Sequence, residues 1–124
     1  MSQRSAGREW FRKAHPLATD GVVRVSRYYP SAKSWKHQPA WAFHLPLEDL
    51  ESAISVTYCV CQDKDGGCFR CLRVPHQYVL DHRAGLYWRS DKGAFSVFLA
   101  ADAAAIFRDM RGTDGVEFGQ FLLP

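Results

Sequence analysis

Residues 54–74 decide the fold, because they read ISVTYCVCQDKDGGCFRCLRV, two apolar stretches on either side of a glycine-containing turn. Ile54–Gln62 and Cys68–Val74 are rich in the β-branched and aromatic residues that favour strands. The Asp65-Gly66 step between them suits a tight hairpin turn. This stretch therefore predicts an antiparallel hairpin.

Further strands are predicted on both sides of this hairpin. Leu86–Arg89 and Ala94–Leu99 flank a short polar turn and form a second hairpin. Val22–Tyr28 and Trp41–Pro46 alternate apolar and polar residues, which is typical of strands with one buried face.

Short helices follow several of these strands almost directly. The predicted helices cover Ala6–Ala14, Leu47–Ile54, His76–His82 and Ala101–Arg111. Proline stands at the start of the second and third, where its missing N–H costs nothing, and Gly112 is a favourable cap for the fourth. The apolar stripe of the fourth helix, Ala103, Ile106, Phe107 and Met110, is expected to pack on the sheet.

These elements predict an α+β fold: a mostly antiparallel sheet built from two hairpins plus additional strands, with about three short helices packed on one face. The 124 residues suit one domain, residues 1–124. We expect residues 1–20 to form a mobile or peripheral basic segment. Residues 1–40 contain eight Lys or Arg against two acidic residues, whereas residues 41–124 contain eight against eleven. A basic first third favours a polyanionic partner.

The N-terminal residues are charged and lack the apolar run of a signal peptide, and no apolar stretch approaches the length of a membrane helix. We therefore expect a soluble, cytoplasmic protein without a membrane partner. In that compartment the cysteines would be thiols or metal ligands rather than disulfides.

Four cysteines, Cys59, Cys61, Cys68 and Cys71, lie on the two arms of the first hairpin and are candidate zinc ligands. A turn at Asp65-Gly66 would pair Cys61 with Arg70 and Val60 with Cys71, so Cys71 would point away from the others. Buried thiols without a cofactor are the favoured interpretation, with zinc as the alternative.

A basic and aromatic stretch near the N-terminus is the main candidate site. Cations that contact phosphates and rings that stack on bases are the usual means of binding single-stranded nucleic acids. The candidate nucleic-acid-binding residues are Arg24, Arg27, Tyr28, Tyr29, Lys33, Trp35, Lys36 and His37. Trp41, which begins an alternating strand, is expected in the core.

The sequence thus predicts a small nucleic-acid-binding domain without catalysis of its own. Two alternatives stay open. Trp, Tyr and Arg also dominate protein interfaces, so the aromatic loop could be the hot spot of an interaction or accessory module. A small enzyme using Cys71 or one of the histidines is the other alternative, although no catalytic motif is present.

Overall fold

The computed structural model describes residues 3–30, 38–102 and 106–124. The helices are α1 (Gln3–Ala14), α2 (Leu47–Leu50) and α3 (His76–Asp81). The strands are β1 (Gly21–Ser26), β2 (Ala40–Pro46), β3 (Val56–Gln62), β4 (Phe69–Pro75), β5 (Tyr87–Arg89) and β6 (Ala94–Ala100). Short 3-10 turns occur at Arg83–Gly85 and Gly119–Phe121.

The first sheet has the strand order β1-β3-β4, and its β3–β4 hairpin is the one that the sequence predicts. The register pairs Cys61 with Arg70 and Val60 with Cys71, which confirms the expected pairing. Gly66 in the turn has φ of +77°, a left-handed conformation that glycine adopts without strain. β1 pairs with β3 in parallel, whereas β3 and β4 pair antiparallel.

The second sheet has the strand order β2-β6-β5, and the predicted β5–β6 hairpin is also confirmed. In its register His44 lies opposite Ser96, and Ser96 lies opposite Tyr87, so the three form one row across the sheet. The two sheets approach each other along β1 and β2, where the backbone N–H of Ala42 donates to Ser26 Oγ at 2.9 Å.

Alternation along the strands divides the core into two layers. The inward face of β2, with Trp41, Phe43 and Leu45, packs against the first sheet in the larger cluster. On the opposite side of the first sheet, Phe11 of α1 packs on Tyr58, with ring centroids 4.9 Å apart. Burying one such ring contributes about 1.5–3 kcal/mol, so α1 is held to the sheet by its apolar side.

The α+β class with mostly antiparallel pairing is confirmed, and the strands lie in two sheets. The helices are distributed over the molecule: α1 covers the outside of the first sheet, whereas Leu50 of α2 and Val79 of α3 join the cluster between the sheets. α2 is a single turn, shorter than Leu47–Ile54. Among the described residues, no helix has the length and apolar character needed to cross a membrane.

The predicted helix Ala101–Arg111 is wrong for the part of it that the structure describes. Ile106 and Phe107 lie in a turn, and Phe107 has φ of +64°, which no right-handed helix accommodates. Asp109 then pairs with Leu99 as an isolated antiparallel bridge. Phe107 is nevertheless buried and stacks on Trp41, with ring centroids 5.4 Å apart. Its apolar character correctly indicated a buried side chain, but the spacing of the apolar residues did not indicate a helix.

Candidate functional site

Some side chains of the predicted basic and aromatic stretch lie in or near the core, and others lie at the surface. Arg24 is half-buried, and its Nη2 lies 2.9 Å from Asp49 Oδ2 of α2. Tyr28 packs edge-to-face on Trp41, with ring centroids 6.2 Å apart. Trp41 is buried, which confirms its place in the core. Any nucleic-acid contact by Arg24 or Tyr28 stays a prediction.

Arg27 and Tyr29 lie together at the surface. The Arg27 guanidinium carbon is 4.6 Å from the centroid of the Tyr29 ring, a cation–π geometry. Tyr29 and Ala40 exchange two backbone hydrogen bonds, of 2.9 and 3.0 Å, so they share a face. That is the outer face of the second sheet, opposite the inward Trp41. Lys33, Trp35, Lys36 and His37 lie outside the described residues.

The same outer face carries His44, Ser96 and Tyr87, whose row was given above, and also Phe98 on β6. Ser96 is buried, whereas Tyr87 is 42% exposed. Small side chains at the centre of the face are thus bordered by larger polar and aromatic ones that reach solvent.

Arg111 completes this face, although its chain position gives no sign of it. Its guanidinium carbon lies 4.3 Å from the centroid of Tyr87 and 5.1 Å from that of Phe98. We define the arginine–tyrosine face as Arg27, Tyr29, His44, Tyr87, Phe98 and Arg111. Sequence analysis assigned Arg111 to a helix end and did not identify Tyr87 as a site residue.

Asp109 positions Arg111 by organising the turn after β6. Its buried carboxylate accepts backbone hydrogen bonds from Phe98 at 3.0 Å, Arg111 at 3.2 Å and Gly112 at 2.9 Å. A Cβ on Gly112 would collide with the carbonyl oxygen of Gly85, so only glycine fits where the turn meets the β5 side of the sheet. The turn therefore fixes the arginine beside Tyr87.

The electrostatics of the face are dominated by cations near His44. Partial burial lowers the pKa of His44, and the charges of Arg89, Lys92 and Arg111 lower it further. Asp91 opposes them, but its carboxylate is engaged by Arg89 at 2.7 Å. Three cations and one acidic group act on His44, so the local potential there is positive.

The four cysteines do not converge. Cys59 and Cys61 belong to the cluster between the sheets, Cys71 belongs to the cluster under α1, and Cys68 is exposed in the hairpin. Burial raises the pKa of Cys59 and Cys61, and it raises that of Cys71 to about 12. No group of three or more metal-binding side chains occurs in the part of the chain that the structure describes.

The histidine nearest to Cys71 in sequence is already engaged. His76 is buried, with Nδ1 2.9 Å from the carbonyl oxygen of Ile54 and Nε2 2.7 Å from Thr57 Oγ1. Since a carbonyl oxygen only accepts, Nδ1 donates to it, and Nε2 is hydrogen-bonded to the Thr57 hydroxyl. A buried thiol and a fully engaged imidazole do not favour a cysteine nucleophile.

No protein-family model matches this chain, and no solved structure is significantly similar to it. Its function therefore has to be inferred from its own residues.

Proposed function

We propose that this chain binds nucleic acid through the arginine–tyrosine face, without catalysis of its own. The observation that carries the proposal is the stacking of Arg111 on Tyr87 and Phe98, together with that of Arg27 on Tyr29. Cations and flat rings on one sheet surface are the two components that nucleic-acid binding needs, for phosphates and for unpaired bases respectively.

The charge around His44 supports the same proposal. The positive charges of Lys92 and Arg111 act on His44, and no ion pair of Lys92 is found among the described residues, whereas Arg89 is paired with Asp91. A polyanion gains by neutralising such charges and by releasing its own counterions, which makes binding sensitive to salt.

The exposed ring of Tyr87 supports a stacking contact. Its side chain is 42% exposed, while Arg111 covers part of it. Each base stacked on an aromatic side chain is worth about 1–3 kcal/mol, and an arginine over the ring adds a planar cation at the same place.

The predicted residues Lys33, Trp35, Lys36 and His37 remain part of the proposal. They belong to the segment between Tyr29 and Ala40, and these two residues are hydrogen-bonded at the edge of the face. We propose that the cations of this segment and Trp35 add contacts with nucleic acid, as their residue types predict.

Fluorescence anisotropy with labelled single- and double-stranded DNA and RNA tests the proposal, at two salt concentrations. Lys92 and Lys64 form a matched pair, because each is an exposed lysine in a hairpin turn. Lys92 adjoins Gly93, whose carbonyl accepts from Leu47 just after β2. Lys64 follows Gln62 of the first sheet, whose carbonyl accepts from the indole of the inward-facing Trp41. Lys64 therefore lies on the core side of β2, across from the outer face that carries the proposed site.

We expect Lys92→Ala to weaken binding and to reduce the slope of log affinity against log salt by about 0.7 for a single strand or 0.9 for a duplex. Tyr87→Ala should cost about 1–3 kcal/mol with single strands. Lys64→Ala should change neither quantity. Absence of binding at low salt to all four ligands, or equal losses in the two lysine variants, would reject the proposal.

A further inference from the structure

We propose that a cleft between α1, β1 and β2 binds a phosphate monoester group. The cleft has a volume of about 120 Å³ and is lined by Arg8, Arg24, Val25, Ala42, Phe43 and His44. Its lining residues of β1 and β2 adjoin the contact between Ser26 and Ala42. The inference does not depend on nucleic-acid binding, because inorganic phosphate alone tests it.

The size of the cleft restricts its ligand. An apolar cavity of about 150 Å³ holds a molecule of benzene, so 120 Å³ holds a group of about five or six heavy atoms. Phosphate has five, whereas a nucleoside has many more. A nucleoside attached to the phosphate would have to remain outside, over the neighbouring arginine–tyrosine face.

Three nitrogen-bearing side chains from three different elements meet at this cleft. Arg8 comes from α1, Arg24 from β1 and His44 from β2. Guanidinium groups bind phosphate with paired N–H donors, and an imidazole adds a third direction of approach. The convergence of such groups on a small volume is what distinguishes a phosphate site from a generally basic surface.

Arg24 has hydrogen-bonding capacity that its protein partner does not use. Asp49 engages Nη2 at 2.9 Å, and no hydrogen bond to another described residue engages the guanidinium. Nε is buried, so the donors left for a ligand are those of Nη1 and Nη2. The ion pair orients the guanidinium and neutralises one positive charge. Binding therefore depends on the second cation, Arg8, for which no ion pair is found within the described parts of the chain.

The third member, His44, reports on the ligand. Arg8 and Arg24 share its cleft, and Asp49 pairs with Arg24. The charged groups that act on His44 are Arg89, Lys92, Arg111 and Asp91. Cations among them and partial burial lower the pKa of His44. A phosphate in the cleft would stabilise the imidazolium, so the pKa of His44 must rise when phosphate binds.

The experiment measures the pKa of His44 by NMR in the full chain, without and with inorganic phosphate at constant ionic strength. His15, His76 and His82 serve as internal controls. Arg8→Ala is the test variant. Arg12→Ala is its matched control, because Arg12 lies one turn further along α1. Both arginines line a neighbouring pocket, but only Arg8 also lines the cleft with Arg24 and His44.

We expect phosphate to raise the pKa of His44 selectively and Arg8→Ala to weaken phosphate binding by about tenfold, the value of one charge-assisted hydrogen bond. Arg12→Ala should leave binding unchanged. The proposal is overturned if millimolar phosphate leaves His44 unaffected, or if Arg12→Ala weakens binding as much as Arg8→Ala, since diffuse charge would then explain the effect.

Two oligonucleotides of one sequence, with a 5′-phosphate or a 5′-hydroxyl, identify the source of the phosphate. Tighter binding of the phosphorylated strand assigns the cleft to a nucleic-acid end. Binding of inorganic phosphate without any response to either strand assigns it to a small phosphorylated molecule. The second result would keep the cleft while rejecting nucleic acid as the ligand of the adjacent face.

Discussion

The carboxylate of Asp109 accepts a hydrogen bond from the backbone N–H of Phe98 at 3.0 Å, and this contact joins the turn after β6 to the strand itself. The same carboxylate accepts from two further backbone N–H groups, at residues 111 and 112. The buried Asp109 side chain thus accepts from backbone N–H groups that would otherwise need a backbone acceptor. The chain can therefore reverse direction here, and the turn brings Arg111 over the ring of Tyr87.

Replacing Asp109 should destabilise both the fold and the candidate site. In Asp109→Ala, three backbone donors lose their acceptor, and each unsatisfied buried donor costs about 1–3 kcal/mol, so we expect a loss of about 3 kcal/mol or more. Asp109→Asn keeps one carbonyl oxygen and should lose less. Urea denaturation measures both, and Asp65→Asn in the exposed β3–β4 turn is the control, with a change below about 0.5 kcal/mol. A similar change in Asp109→Ala would contradict the role given to the carboxylate.

The hairpins could be predicted from the sequence because their signals are local. The Asp-Gly step and the alternation of residues 54–74 determined which residues face each other, and the register of Cys61 and Arg70 followed. The parallel pairing of β1 with β3 has no such signal, since its partners are separated by about 35 residues of chain. The helix prediction for the residues after Ala100 was wrong for a related reason. The spacing of the apolar residues fits a helix, but the hydrogen bonds of the Asp109 carboxylate stabilise a turn.

Only part of the candidate site could be predicted from the sequence. Arg27 and Tyr29 are close in the chain, so a basic and aromatic pattern revealed them. Tyr87 and Arg111 are far apart in sequence, and their contact depends on a turn whose geometry is set by one buried carboxylate. A cluster built by tertiary structure leaves no pattern of spacing to recognise.

The pH dependence of stability should reveal the contact between Asp20 and Tyr58. The Tyr58 hydroxyl donates to Asp20 Oδ1 at 2.5 Å and Arg73 Nη2 to Oδ2 at 2.8 Å; these bonds, the tyrosine's first, lower the pKa of Asp20 below its usual 3.8. A lowered pKa means that the stabilisation is present above pH 3.8 and is lost as pH falls through the folded-state value. The difference in urea midpoint between the wild-type chain and Asp20→Asn should therefore narrow in acid.

NMR titration of the carboxyl carbons separates the two partners of Asp20. Tyr58→Phe and Arg73→Gln should each raise the pKa of Asp20, because each removes a hydrogen bond that lowers it, the tyrosine bond being the largest single cause. The pKa of Asp91, which is lowered by Arg89, should stay constant in both variants and is an internal control. An unchanged pKa of Asp20 in Tyr58→Phe would contradict the role given to the tyrosine hydroxyl.

Gly7 should resist replacement although it lies inside a helix. Alanine favours a helix over glycine by about 1 kcal/mol. A Cβ at this position would, however, lie 2.5 Å from Val25 Cγ1, and overpacking of this kind costs about 1–3 kcal/mol. We expect a net loss of about 1 kcal/mol in urea denaturation, because α1 must move off β1. Gly67→Ala, with nothing within 4 Å of its Cβ, should change stability by less than about 0.5 kcal/mol.

A double-mutant cycle tests the cause of this loss. Val25→Ala removes the methyl group that the new Cβ would meet, so Gly7→Ala should cost less in that background than in the wild-type chain. Equal costs in both backgrounds would mean that close approach of α1 and β1 is not what requires glycine.

The thiols should react in two classes that follow their burial. Cys68 is exposed, whereas Cys59, Cys61 and Cys71 are buried with raised pKa values, to about 12 for Cys71. The thiolate is the reactive form, so a disulfide reagent at pH 8 should modify one thiol rapidly in the native chain and all four in urea. Cys68→Ser should abolish the rapid phase. The slow phase requires opening of the fold, so Asp109→Ala should accelerate it.

The same assay decides between buried thiols and a zinc site. The separation of Cys71 from Cys59 and Cys61 on opposite faces of the first sheet leaves Cys68 without the three partners that a tetrahedral site needs. Added zinc should therefore leave the rapid reaction of Cys68 unchanged. Protection of Cys68 by stoichiometric zinc would require the hairpin to rearrange and would restore the cysteines as metal ligands.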